Sequence, residues 1–180
     1  MTSVQISYPA GVIWSPSRTN NSGFGSPSEV VQLDEVPCLP RWKDYDEEDG
    51  NVPTDWSDRF DIFNWRIFSA WSGEKRLGGI VVVHDSPAID MLEGRDDIAV
   101  LWDARVHPDA RGRGVGRALI QRVEEWAEAR ACSELKVETQ NVNVPACRFY
   151  ERCGFELRHA VAGAYPELPD EVMFLWYKRI

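Results

Sequence analysis

The sequence predicts a mixed α/β (α+β) domain on one central sheet, and three observations point there. Runs rich in β-branched and aromatic residues recur along the second half of the chain, separated by turn-forming residues. Two helix-period patterns lie between those runs, so strands and helices alternate. The 180 residues, 43% hydrophobic and 27% charged, are enough for one domain with its own core and are not the composition of a disordered chain.

Taken in order, SPSRTNNSGFGSPS at 15–28 reads as loop, DYDEEDG at 44–50 as a solvated turn, and 53–63 as a short helix mixing acids with aromatics. Trp65–Trp71 and Arg76–His84 read as a hairpin closed by Ser72–Lys75. A polar loop follows, then a strand at Ile98–Val106 bounded by Pro108. Gly114–Arg130 reads as a helix with Leu119, Ile120, Val123, Trp126 and Ala127 on its apolar face and Glu124, Glu125 and Glu128 opposite. Glu134–Thr139 is a short strand. Asn143 or Val144 caps a second helix, with Pro145 in its first turn and Gly154 stopping it. Its predicted buried stripe is Ala146, Phe149, Tyr150 and Cys153. Strands at Phe155–Val161 and Glu171–Lys178 close the list.

Composition excludes several classes. No apolar run approaches the ~18 residues of a membrane helix. Met1–Ile13 lacks the pattern of a signal peptide, so a cytoplasmic protein with reduced thiols is expected. Cys38, Cys132, Cys147 and Cys153 show no CxxC spacing, and no metal site is expected. The net charge of -9 is uneven: residues 1–110 hold 9 basic and 19 acidic side chains, residues 111–180 hold 11 and 10. The acidic part repels nucleic acid and anionic membrane and would attract a cation. Taken alone, it reads as an ordinary solubilising surface.

The most informative segment is VHPDARGRGVG, 106–116. Gly112, Gly114 and Gly116 stand between a strand and a helix, where backbone N–H groups and the helix dipole favour an anion, and Arg111, Arg113 and Arg117 add positive charge. A Walker loop is excluded, since GxxxxGK[ST] is absent. A dinucleotide fold would use GxGxxG with an acid such as Glu138, but needs parallel βαβ units where this chain reads as hairpin. The remaining pattern is the acyl-CoA loop R/Q-x-x-G-x-G/A, met by Arg111 to Gly116.

With that pattern, VHPDARGRGVGRALIQRVEEWA resembles motif A of the GNAT N-acetyltransferase superfamily, and ETQNVNVPACRFYERCGFEL at 138–157 resembles its motif B. The second is most similar to the streptothricin acetyltransferases. The resemblance covers residues 65–180, and none extends over 1–60. It implies a single GNAT domain over 1–180, with a divergent part at 1–60 and an acetyl-CoA-binding core at 98–157. It also implies a mixed sheet splayed between two parallel strands and flanked by helices. It places acetyl-CoA as cosubstrate against the backbone of Arg105 and Val106, the amides of Arg111, Gly112, Arg113, Gly114, Val115 and Gly116 with Arg117 beside them, and Asn143.

Acetyl transfer to an amine needs a base, an oxyanion donor and an acid for the leaving thiolate. The resemblance gives the acid to Tyr150, whose plain alternative is core packing, and the donor to the Val106 N–H. The base is open among Asp103, Glu138 and Glu171. Asp103 is slightly favoured, and its alternative is an ion pair with Arg105, on the same strand face as Leu101. Cys147 and Cys153 read as inert buried thiols, because the sequence sets none of His84, His107 and His159 beside them. His107 reads as loop. Trp42, Trp56 and Trp102 are candidates to wall a cleft, and Asp55, Asp58 and Asp61, alternating with Trp56, Phe60 and Phe63, suit a cation. The expected partner is a small cationic amine of streptothricin type, and the expected assembly a monomer or homodimer. Acetylation of protein lysines or N-termini, or acyl-CoA sensing without turnover, are the rival functions.

Overall fold

The computed structural model describes residues 53–180 and four earlier strands, β1 (Ile6–Ser7), β2 (Ile13–Pro16), β3 (Leu33–Val36) and β4 (Trp42–Lys43). The 44–50 turn, Cys38 and the Trp42 side chain lie outside the described residues. Of the 15–28 segment, Ser15 and Pro16 end β2, where Pro16 stands opposite Leu33 at the tip of the β2–β3 pair. A proline is tolerated at such an end because no ladder N–H is lost.

Then come α1 (Trp56–Arg59), β5 (Trp65–Ser72), β6 (Lys75–Val83), β7 (Ile98–Val106), α2 (Val115–Glu128), β8 (Glu134–Gln140), α3 (Val144–Arg152), β9 (Glu156–Ala162) and β10 (Val172–Arg179). Six strands form a mixed sheet in the order β5-β6-β7-β8-β10-β9. The chain divides into two compact units, one of residues 1–6, 43–136 and 179–180, the other of 7–42 and 137–178.

In the first unit β5, β6 and β7 are antiparallel, and α2 packs on all three. Val82, Val83, Ile98 and Ala99 are fully buried, as are Val123 and Ala127 of α2. This is the predicted face with one change: Trp126 is only half-buried, under the Arg130 guanidinium at 4.1 Å. The helix begins at Val115, not Gly114, because Gly114 holds φ +83, outside the helical region. Glu134 and Lys136 are buried at the start of β8, and the β7 approach supplies their partners. Arg95 forks onto Asp97 at 2.8 and 3.0 Å and reaches Glu134 at 3.0 Å, while Lys136 donates to Glu93 at 2.6 Å. The fork and a 2.6 Å bond from the Ser133 hydroxyl hold the Asp97 carboxyl well below the usual range.

In the second unit Thr139 stitches three elements. Its hydroxyl accepts from Trp176 Nε1 of β10 at 2.9 Å and lies 3.3 Å from Cys147 Sγ of α3. That contact turns α3 so that Val144, Cys147, Tyr150 and Cys153 face inward, while Ala146 and Phe149 of the predicted stripe are half-buried. Asn141, buried, pairs with Val172 through its own N–H and its side-chain oxygen, both at 2.9 Å. Gly154 ends α3 at φ +86, and Lys178 Nζ donates to the Cys153 carbonyl at 2.6 Å. No described helix is long and apolar enough to cross a membrane, and no metal-binding cluster occurs among the described residues.

Candidate active site

The sequence-predicted residues fall in both units. In the first, β7 carries Asp103, Arg105 and Val106 toward the glycine turn. Opposite Arg105 and Val106, β6 has Gly79 and Gly78; a Cβ at 78 would stand 2.6 Å from the Arg105 carbonyl, so only glycine fits. The β6–β7 register shifts between Leu101 and Asp103, leaving Trp102 as the extra residue of a bulge. The alternation expected to align Leu101 with Asp103 is broken there. Asp103 and Arg105, two residues apart beyond the bulge, form the ion pair that was its alternative, Oδ1 to Nε at 2.8 Å.

After Val106 the chain makes a 3-10 turn at Pro108–Ala110, capped by His107, whose Nδ1 accepts from the Asp109 N–H at 3.3 Å. His107 is thus a turn residue. Arg111 Nε donates back to the Val106 carbonyl at 3.2 Å and fixes the loop on its strand. Gly112 and Gly114 hold φ +69 and +83, and a Cβ at either would meet no atom within 4 Å. Their requirement is therefore conformational and not close protein packing, whereas Gly116 lies in the first turn of α2 and has no positive φ. The first helical bond runs from Ala118 N–H to the Gly114 carbonyl at 3.0 Å. The amides of Val115, Gly116 and Arg117 thus precede any intrahelical bond, at a helix start with no acid in its first turn and with Arg113 and Arg117 exposed beside it. These donors, the dipole and the open space above the two glycines fit a phosphate-bearing ligand.

The same unit holds an aromatic cluster. Trp65 and Trp102 each have ring centroids 5.3 to 6.5 Å from one another and from Trp56 and Phe60. The structure brings the predicted Trp56 and Trp102 together and adds Phe60 and Trp65, but Trp56 is buried in the core and does not wall a cleft, whereas the other three rings are half-buried. Asp55, Asp58 and Asp61, in and next to the short α1 segment that carries Trp56, are exposed, and so is Phe63.

In the second unit Glu138 is half-buried on β8. Its Oε1 accepts from the Tyr165 hydroxyl at 2.7 Å, and Tyr165 in turn lies 3.4 Å from the Gln140 amide nitrogen. Burial, then the charge of Glu138, pushes the Tyr165 phenol well above its usual range, and Glu171 adds to the effect. The structure thus sets the candidate base Glu138 against a tyrosine that sequence reasoning missed. Tyr165 stands in a glycine- and proline-rich stretch, GAYPELP, with no local signal beyond its residue type.

Asn143 caps α3, its Oδ1 accepting from the Ala146 N–H at 3.2 Å. Tyr150 is buried, edge-on to Phe149 at 5.2 Å and Phe155 at 5.4 Å. Cys147 and Cys153 are buried thiols, and burial pushes the Cys147 thiol up to about 11. His159 packs on Tyr177, and His84 Nε2 lies 2.8 Å from the Asp96 carbonyl in the other unit. A thiol raised by burial, as Cys147 is, is a poor nucleophile.

A strand leading into a glycine turn and a phosphate-ready helix start, followed by a second strand–helix motif, defines an acyl-CoA-type acetyltransferase fold. The sequence matches the acetyltransferase (GNAT) family over residues 29–155, beginning well before the resemblance read from the motifs, and the chain belongs to that family. It is 35% identical to a streptothricin acetyltransferase of Escherichia coli over 92 residues, 49% of this chain and 53% of that protein. It is 32% identical to one of Streptomyces lavendulae over 124 residues, 68% and 61% of the two chains. The chain thus spans about half to three-fifths of the length of these curated relatives. Among solved structures, a nourseothricin acetyltransferase superposes with TM-score 0.69 at 25% identity, covering 96% of this chain and 86% of that one. A Bacillus anthracis protein, provisionally a streptothricin acetyltransferase and solved with acetyl coenzyme A, shares the fold with TM-score 0.72 at 24% identity, over 98% and 89% of the chains.

Proposed function

We propose that this chain is an acetyl-CoA-dependent N-acetyltransferase that acetylates a primary amine of a small cationic substrate of streptothricin type. The observation that carries the reading is the 35% identity to a streptothricin acetyltransferase in a chain of the GNAT family. The phosphate-ready start of α2 supports it. In this reading the amides of Val115, Gly116 and Arg117 hold the CoA pyrophosphate, with Gly112 and Gly114 shaping the turn. Arg111 fixes the loop through its Nε, and the two NH2 groups of the same guanidinium bring charge to the phosphate. Arg105 and Val106 meet the pantetheine arm through their backbone, and Asn143 contributes near the start of α3.

The chemistry divides among three groups. Glu138 takes the proton of the acceptor ammonium, directly or through water, and the freed amine attacks the thioester carbonyl. The Val106 N–H donates to the oxyanion. The C–S bond breaks, and Tyr150 protonates the departing CoA thiolate. Glu138 replaces Asp103 as the preferred base because Asp103 is held in an ion pair with the Arg105 guanidinium, which protonation would break, whereas the partner of Glu138 is a neutral phenol. The exposed Asp55, Asp58 and Asp61 beside the four-ring cluster suit an ammonium-bearing acceptor through Coulomb attraction and cation–π contact.

The test is incubation of the protein with acetyl-CoA and streptothricin, scored by product mass. A product one acetyl group heavier, formed with stoichiometric free CoA thiol, is expected. Binding of CoA without transfer to streptothricin or to any amine of a panel would replace the enzyme by an acyl-CoA sensor.

A further inference from the structure

A carboxylate that serves as a base must be held so that one oxygen stays available to the incoming ammonium. Glu138 stands at the fifth position of β8, half-buried, between the buried Val137 and Thr139. A glutamate has three rotatable bonds, and β8 fixes only its Cα and Cβ. What holds the carboxyl group is the segment joining β9 to β10, where Tyr165 lies 27 residues away in sequence and donates its hydroxyl to Oε1 at 2.7 Å.

The hydrogen-bond inventory gives this contact a direction. A phenol has one proton. A carboxylate only accepts, so the proton goes to Glu138, and the Gln140 amide, 3.4 Å from the phenol oxygen, comes as a donor. Gln140 and Glu138 lie two residues apart on one face of β8, and Tyr165 bridges them. The phenol, pushed well above its usual range by burial and by the Glu138 charge, keeps its proton through any working pH and remains a donor. One oxygen of Glu138 is thereby committed to Tyr165, and the group cannot swing without giving up a charge-assisted bond.

We propose that Tyr165 is the positioning residue of the acetyl-transfer reaction: its hydroxyl, steadied by Gln140, anchors Oε1 of Glu138 and leaves Oε2 to receive the acceptor's proton. This rests on the reading of Glu138 as the base. It makes the β9–β10 connection part of the catalytic apparatus, although neither sequence motif of the family resemblance includes it.

The experiment is a double-mutant cycle with acetyl-CoA and streptothricin, using Tyr165→Phe, Glu138→Gln and the combination. Tyr165→Phe keeps the ring and removes only the hydroxyl, and equal melting temperatures establish that each variant is folded. A hydrogen bond to a charged group corresponds to about a 10- to 100-fold effect on rate. Tyr165→Phe is therefore expected to lower kcat by about tenfold or more with KM for streptothricin nearly unchanged, and to have no further effect in the Glu138→Gln background. A rise in KM at unchanged kcat, or equal effects of Tyr165→Phe in both backgrounds, overturns the positioning role while leaving Glu138 as base. Wild-type kcat in Glu138→Gln, or no transfer by the unaltered protein, overturns the reading of the site and this inference with it.

Discussion

Replacing Gly114 by alanine separates the two reasons a glycine can be required. At φ +83 and ψ -5, residue 114 sits in the left-handed region, where an L side chain costs roughly 1–2 kcal/mol. The Cβ itself would meet no protein atom within 4 Å, so no packing strain is added. Gly94 provides the internal control: it holds φ +68, is equally open, and lies in the loop before β7, away from the anion-ready helix start. Both substitutions are expected to cost about 1–2 kcal/mol in urea unfolding, close to the torsional figure. Only Gly114→Ala should also weaken CoA. Its methyl group projects into the space a phosphate would fill, and relief of the strain would re-aim the amides of Val115, Gly116 and Arg117. Calorimetry is expected to show CoA at least about tenfold weaker, or 1.4 kcal/mol, for Gly114→Ala and unchanged for Gly94→Ala. Equal stability losses with equal CoA affinity in the two variants would refute the assignment of the loop as the phosphate cradle.

Three further outcomes are expected. Tyr150→Phe should fold, since the ring keeps its contacts with Phe149 and Phe155, and should lower kcat toward the about 10²–10⁴ typical of a lost general acid, less where the thiol leaves readily; wild-type kcat would make Tyr150 a packing residue. Asp97, held below its unfolded value of about 3.9, stabilises the fold above that pH and ceases to do so as pH falls through its folded value. Asp97→Asn should therefore flatten the loss of stability below about pH 4 in urea titrations. Cys147, raised to about 11, stays protonated in the fold while the unfolded thiol ionises from about pH 8.5, so stability should fall as pH climbs between the two. A thiol reagent at pH 8 should label Cys147 only as fast as the protein opens.

What was legible in the sequence was what is encoded locally. The strand Ile98–Val106 was placed to the residue, because a dense apolar run ends at a proline-initiated turn. The helix starts at Val115, one residue after the Gly114 that its sequence pattern suggests, because a helix-capping glycine and a helical one differ only in φ. The cap of α3 is legible to within one residue, Asn143 or Val144, through Pro145, and the structure gives it to Asn143. The rest depended on partners distant in sequence. The choice of Cys147 over Phe149 for the inner face of α3 follows from Thr139, and the buried Lys136 and Glu134 from Glu93 and Arg95. The bulge at Trp102 is a property of the β6–β7 register, not of β7 alone. Tyr165 beside Glu138 is of the same kind: 27 residues separate the pair, and no periodicity links them.

The most direct measurement of the central claim compares kcat/KM with acetyl-CoA for streptothricin, a simple monoamine and glutamate, at low and at high salt. The account predicts streptothricin first, glutamate last, and a gap that narrows as salt screens the exposed carboxylates over a Debye length of about 10 Å at 0.1 M. Preference for glutamate, or a ranking indifferent to salt, would contradict the cationic acceptor; failure of every amine to release CoA would contradict the enzyme.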